Sequence, residues 1–242
     1  MANSSNFRKA IQEAQNNALV GPNVISKALP YLGGGLLLTA FGTYGGLGIA
    51  ERYPQLFMPS FIAALVLELV LFFVARGQAE KGAEGTALPL LALYSLLSGY
   101  TLTGLIALAL ATPKVGIEGV GIAALGCGIT FVASRSIGSN LSEEDGFALQ
   151  QTVQLGVIGL VIVLGLQLLL ALFGFYTPGW LELSISALGV LLFAGVATVD
   201  FYTLPRVYTD EQHLSAALSM YLTYINLFVF ILRFLIALQS RE

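Results

Sequence analysis

The chain has 242 residues, 56% hydrophobic and only 10% charged, with a mean hydropathy of +0.81. Soluble domains carry about 25% charged residues, so this composition excludes a water-soluble globule and makes the chain an integral membrane protein whose first partner is the lipid bilayer. A net charge of -3 spread over short loops argues against nucleic acid as a partner, and the single Cys127 and single His213 exclude an intrachain disulfide and leave metal chemistry poorly supplied.

Residues 1–27 are polar and carry Phe7, Ile11, Ala14 and Ala18 at helical spacing. They read as an N-terminal arm with an interfacial or cytosolic helix and no cleaved signal. Residues 28–242 read as one all-α transmembrane domain. With about 20 residues needed per span, seven spans are predicted at 31–50, 59–76, 88–111, 115–135, 153–175, 181–205 and 213–237.

Pro54, Pro59, Pro89, Pro113, Pro178 and Pro205 punctuate the span ends, because the residue before proline avoids the helical region. The span 115–135 is the least helical in pattern, as Gly116, Gly119, Gly121, Gly126 and Gly128 lower its propensity. In lipid, glycine serves close backbone approach, and Gly42 with Gly46, or Ser95, Gly99 and Thr103, repeat a small-xxx-small spacing. Ser142-Glu-Glu-Asp145 reads as a capped, acidic helix start. Arg8, Lys9, Lys27, Arg76, Lys81, Arg135 and Arg206 fall on one side against Arg52, Lys114 and Arg241 on the other. That asymmetry predicts a cytosolic N-terminus and Glu242 on the opposite face.

Glu68, Asp200 and Arg233 lie well inside spans. Intramembrane charges are costly and usually face the bundle interior or a cavity, which makes each a candidate for function. Glu68 falls near the midplane and Asp200 in the inner part of span six. The proton affinity of such a carboxylate is set by desolvation against nearby cations and donors, so each is a candidate proton switch; the competing role is a buried pair that fixes helix register. Arg76, Arg206 and His213 are the expected partners of Asp200. Arg233 is expected either to snorkel to headgroups or to face a cavity. Ser219, Thr223, Asn226, Phe230 and Arg233 step by four, three, four and three residues, so they share one helical face turned inward. Tyr94, Ser98, Thr101, Gln154 and Gln167 read as interhelical hydrogen-bonding groups.

Leu191-Leu-Phe-Ala-Gly-Val-Ala-Thr-Val-Asp200, Ala217-Leu-Ser-Met-Tyr-Leu-Thr-Tyr-Ile-Asn-Leu-Phe228 and Ile231-Leu-Arg233 closely resemble the sixth and seventh helices of the transmembrane Bax inhibitor motif family. Tyr44-Gly-Gly, Glu68 and Tyr94-Ser-Leu-Leu-Ser-Gly99 are weaker echoes, and the likeness runs from about residue 30 onward. The resemblance implies a seven-helix bundle with a central hydrophobic-polar helix and, in bacterial members, a pH-sensitive calcium leak. It also implies a switch of two aspartates on the last two helices that share a proton. Asp200 occupies the first position and Thr223 the second, and Thr223 cannot ionise. The expectation is a pH-modulated calcium or cation leak with this altered switch: Asp200, Thr223 and Glu68 form the ion or proton site, with Asn226 in support. Asp200 and Glu68 would be the calcium ligands, since calcium prefers several oxygens including carboxylates. Calcium would be the transported ion, with no cofactor. The alternative is a non-conducting regulator that binds other membrane proteins, such as a membrane protease. An enzyme is disfavoured for want of a histidine cluster, a Gly-x-Ser-x-Gly elbow or a paired catalytic aspartate motif. The expected location is a bacterial inner membrane.

Overall fold

The structure is a computed structural model that describes residues 19–239. Residues 1–18, and with them most of the expected N-terminal arm, lie outside the described residues. Seven long helices follow in chain order: α1 Val24–Arg52, α2 Pro54–Glu80, α3 Glu84–Ala111, α4 Gly116–Gly138, α5 Glu143–Leu172, α6 Gly179–Val207 and α7 His213–Gln239, with a single 3-10 turn Asp210–Gln212 before α7. Each of the seven is long and apolar enough to cross a membrane. The all-α, seven-helix architecture is therefore the one expected. Short connections make the helices alternate in direction, so Val24, Glu80, Glu84, Gly138, Glu143, Val207 and His213 share one end of the bundle, called here the proximal end. Arg52, Ala111, Gly116, Leu172, Gly179 and Gln239 share the distal end.

The helices outrun the apolar blocks that announce them, because hydropathy registers only the part of a helix that meets hydrocarbon. α5 starts at Glu143 rather than near 153. Ser142 caps it as expected: its Oγ accepts the Asp145 backbone N–H at 3.1 Å, and Glu143, Glu144 and Asp145 fill the first turn, where the helix dipole favours negative charge. α1 starts at Val24, which moves the boundary expected between residues 27 and 28. Val24 is fully buried, the Gly21 N–H donates to the Pro205 carbonyl at 3.0 Å, and Asn23 grips the Asp210 carboxylate through its backbone N–H at 2.9 Å and its Nδ2 at 3.0 Å. Glycine-rich α4 is an unbroken helix, entered through left-handed backbone at Lys114 and Gly116. Gly116 suits that turn because it bears no Cβ.

α7 is the axis of the bundle. It packs against α1, α2, α3, α4 and α6, and its Met220, Tyr221, Leu227 and Leu232 are fully buried. α5 is peripheral, held mainly by α6, and turns Leu155, Val161, Leu168 and Leu172 outward. Such outward apolar surface costs nothing in lipid, where side-chain packing rather than hydrophobic burial drives association.

The most extensive helix pair is α1 with α3, and the small-residue spacing accounts for it. Gly42 lies under the Leu96 carbonyl, Gly99 against the Thr39 backbone, and Gly46 against Thr103. Two hydroxyls then strap the helices together: Thr39 Oγ1 donates to the Ser95 carbonyl at 3.1 Å and Thr43 Oγ1 to the Gly99 carbonyl at 2.8 Å. A methyl at Gly42 would overlap the Leu96 carbonyl, whereas one at Gly45 meets nothing within 4 Å. Gly42→Ala is expected to destabilise the bundle by about 1–3 kcal/mol, the usual scale of overpacking, and Gly45→Ala to leave it unchanged or slightly firmer. Unfolding midpoints in detergent check this; equal midpoints for the two variants would mean that the α1–α3 approach does not limit stability.

Candidate functional site

Asp200 sits seven residues from the proximal end of α6, buried at 8% exposure and facing α7. A buried carboxylate requires hydrogen-bond donors, and α7 supplies two from residues one turn apart. Thr223 Oγ1 donates to Asp200 Oδ2 at 2.5 Å and Ser219 Oγ to Oδ1 at 3.1 Å. Each carboxylate oxygen thus receives one neutral hydroxyl, and among the described residues no cation pairs with it. Thr223, where the family resemblance implies a second aspartate, is in direct contact with Asp200. Ser219 was legible as part of the inward stripe but not as a second donor; its four-residue offset from Thr223 is the signal that could have found it.

From the proximal side a small cleft of about 80 Å³ reaches Ser219, one of these two donors. Phe72 and Arg76 of α2, Tyr208, and Ser215 and Ser219 of α7 line it, so one donor to Asp200 also forms the cleft wall. The Ser215 hydroxyl is buried without a protein partner. Distal to Asp200 the α6–α7 seam is packed shut: Phe193 stacks on Phe230 with ring centroids 5.5 Å apart, and Phe230 lies on Gly189, where a Cβ would overlap its ring.

The three expected cationic partners of Asp200 bond elsewhere. Arg76 donates its Nε to Glu80 Oε1 at 2.8 Å along its own helix. Arg206 donates to the Tyr202 carbonyl and lies over the Tyr202 ring at 4.0 Å. His213 Nε2 is 3.6 Å from Glu84 Oε1, and its ring packs on Tyr31 at 5.1 Å. All three sit at helix ends with a partner already at that level, and reaching Asp200 would take them deeper into low dielectric, where desolvation is costly.

Glu68 does not meet Asp200 through any shared partner. It is half-buried between α2 and α3, where Thr101 Oγ1 donates to its Oε2 at 2.8 Å. Thr101 and Ser98, expected as interhelical hydrogen-bonding groups, are thereby the hydroxyls that hold it. Glu68 and Asp200, the expected calcium ligands, are held by different hydroxyls in different helix pairs, and among the described residues no group of three or more His, Cys, Asp or Glu side chains could hold a metal ion. Asn226 turns its Nδ2 back to the Leu222 carbonyl of its own helix at 2.8 Å.

Arg233, expected at headgroups or a cavity, is ion-paired. Its Nη2 and Nε lie 2.7 and 2.8 Å from Glu182 Oε1 in the first turn of α6. Gln167 of α5 completes the cluster as an interhelical donor, its Nε2 reaching Glu182 Oε2 at 3.3 Å and Thr177 Oγ1 at 3.0 Å. The role of Glu182 emerges only from its opposition to Arg233.

The sequence profile of the family described as "Inhibitor of apoptosis-promoting Bax1" matches residues 21–241. The chain belongs to the Bax inhibitor family. An uncharacterized membrane protein of Streptococcus pyogenes serotype M6 is 30% identical over 223 residues, covering 86% of this chain and 90% of the relative. An uncharacterized protein of Deinococcus radiodurans is 28% identical over 219 residues, 86% and 87% of the two chains. Protein lifeguard 4 of Mus musculus is 36% identical over 67 residues, 28% of each chain. The family resemblance read from the last two helices is thus established for almost the whole chain, and this Bax inhibitor family protein is an integral membrane protein.

In the Bax inhibitor family bundle described here, α6 and α7 are joined at both levels by polar contacts, Asp200–Thr223 proximally and Glu182–Arg233 distally. Breaking one partner of a half-buried pair leaves the other charge uncompensated. Glu182→Gln and Arg233→Gln are each expected to lower the unfolding midpoint in detergent. The double variant should lose less than the sum, with a coupling of about 0.5–3 kcal/mol; strict additivity would mean that the pair contributes nothing of its own.

Proposed function

We propose that this Bax inhibitor family protein is a non-enzymatic, pH-modulated leak pathway for calcium or a similar cation, with Asp200 as the ion or proton site and Thr223 and Ser219 as its hydroxyl neighbours. The observation that carries the reading is a buried carboxylate bonded only to neutral hydroxyls, one of which borders a cleft from the proximal end. Intramembrane carboxylates are costly and mark ion and proton routes. Such a group takes up a proton or a cation without breaking a salt bridge. Calcium commonly takes 6–8 oxygen ligands, so one carboxylate with two hydroxyls suits brief passage better than retention. Glu68, held by Thr101 at mid-helix in α2, is the second carboxylate of the proposed pathway. Thr223 in place of a second aspartate leaves a single titrating group where two would titrate as a coupled pair.

The orientation that accompanies this reading puts the proximal end in the cytosol of a bacterial inner membrane. Its support is the clustering of Lys27, Arg76, Lys81, Arg135 and Arg206 at that end, against Arg52 and Lys114 at the other. Reporter fusions after Gln239 and ahead of Val24 are expected to report opposite faces, with the N-terminal one cytosolic. The reverse assignment would turn the cleft beside Asp200 to the outside.

Calcium flux into dye-loaded liposomes tests the function. The wild type is expected to leak with a pH-dependent rate. Asp200→Asn should flatten the pH dependence and change the rate by about tenfold, the effect of about 1.4 kcal/mol in a barrier, while the exposed Glu144→Gln leaves it unaltered. Thr223→Asp should convert the single-site profile to a coupled, two-step one. Absence of flux for wild type at every pH would displace this reading in favour of the non-conducting regulator.

A further inference from the structure

Between α1 and α4 the bundle does not close. α1 is drawn to α3 by the glycine contacts, and α4 packs on α6 and α7, so α1 and α4 scarcely touch. The gap is a groove of about 380 Å³, walled by Leu36, Ala40 and Leu47 of α1 and by Ile117, Val120 and Ala124 of α4, with α3 and α7 as its floor. Ala40 and Ala124 keep it open because neither side chain extends far enough to bridge the walls.

The shape is that of a channel laid along the helices. Leu36 to Leu47 spans about 16 Å at a rise of 1.5 Å per residue, and the volume falls in the range of ligand pockets, about 300–1,000 Å³. Its chemistry is one-sided. No Asp, Glu, Lys or Arg lines it. Its inner hydroxyls are already engaged: Thr39 Oγ1 lies 2.6 Å from Tyr221 Oη, Thr43 Oγ1 donates to the Gly99 carbonyl at 2.8 Å, and Tyr224 Oη donates to the Ala124 carbonyl at 2.9 Å. A polar ligand would find nothing to bond inside. The groove opens sideways at the level of the apolar spans, and its distal mouth ends at Ile117, just past the α3–α4 turn that carries Lys114. Tyr44, 79% exposed, stands on the rim with an apolar ring and a polar tip.

We propose that this groove holds one acyl chain of a membrane phospholipid, lying parallel to the helices with its head group at the distal end of the bundle. The medium outside the groove is hydrocarbon, the cavity is elongated along the membrane normal, and the only charged chemistry nearby is at the mouth, where a head group sits. The chain rests on the Thr39–Tyr221 contact, so it braces the central helix against α1. The inference is independent of ion conduction.

A phospholipid bearing a photoreactive diazirine midway along one acyl chain, mixed at low fraction into nanodiscs with the full-length protein, tests the assignment. After illumination and digestion, label is expected on the segments 36–47 and 117–124 at about fivefold or more over the lipid-facing surface of α5, a preference of about 1 kcal/mol. Ala40→Phe and Ala124→Phe each fill the groove and should reduce that label to the α5 level. Leu166→Phe, on the exposed face of α5, should leave it unchanged. Unfolding midpoints confirm that each variant is folded, and the more conservative Ala40→Leu replaces any that is not. Equal labelling of the groove and α5 would mean annular lipid only and overturn the proposal. So would groove label that survives both fillings, or a covalent dimer bridged across these segments, which would make the occupant a second copy of this chain.

Discussion

The Asp200 carboxylate is the constraint around which the bundle is arranged. A carboxylate placed in hydrocarbon without donors is so unfavourable that the chain must surround it with protein. α7 meets this demand by presenting Ser219 and Thr223 on one face to α6, while its other faces carry Tyr221 toward α1 and Tyr224 toward α4. A helix that must satisfy neighbours on every side has to be central, and the near-complete burial of Met220, Leu227 and Leu232 follows from that position. α5, which has no such obligation, is left on the periphery with its apolar surface in lipid.

The second determinant is how closely backbones approach. Between α1 and α3 the glycines remove side chains and the freed carbonyls are taken by Thr39 and Thr43, so the same residues supply both space and hydrogen bonds. The cost of that intimacy appears on the adjoining face of α1, where the gap to α4 opens over α3. Tight packing of one helix pair and the lateral groove meet in the same residues, since Thr39 and Thr43 both strap α1 to α3 and line the groove.

Much of this was legible in the sequence because lipid simplifies the code. Long apolar blocks and the Ser142 cap predict seven helices, and the small-residue spacings foretell the α1–α3 contact; the prolines were poorer guides, since Pro59, Pro89 and Pro205 lie inside α2, α3 and α6, near their ends but within the helical turns, rather than bounding them. The helix starts at Val24 and Glu143 were not legible from hydropathy, which is silent once a helix leaves hydrocarbon; the cap at Ser142 was the better guide. Asp200 and Thr223 could be named as neighbours through the family resemblance. The partners of Arg76, Arg206, His213 and Arg233 could not, because depth along a helix is readable from residue number whereas azimuth relative to other helices is not. Arg233 and Glu182 illustrate this: 51 residues apart in sequence, they meet because antiparallel α6 and α7 bring the first turn of α6 beside the penultimate turn of α7.

The same geometry explains how a threonine can stand where the family resemblance implies an aspartate. Two carboxyl groups at this distance would need a shared proton to coexist, since like charges in low dielectric repel strongly. A threonine hydroxyl donates its own proton and stabilises the ionised neighbour instead. The contact between α6 and α7 is then preserved in either protonation state of Asp200: with the carboxylate, Thr223 is the donor, and with the acid, it can be the acceptor. In an aspartate pair, loss of the shared proton sets two charges against each other and drives the helices apart. With Thr223 that repulsion is absent, so a change in the protonation of Asp200 does not by itself set two charges against each other across the last two helices.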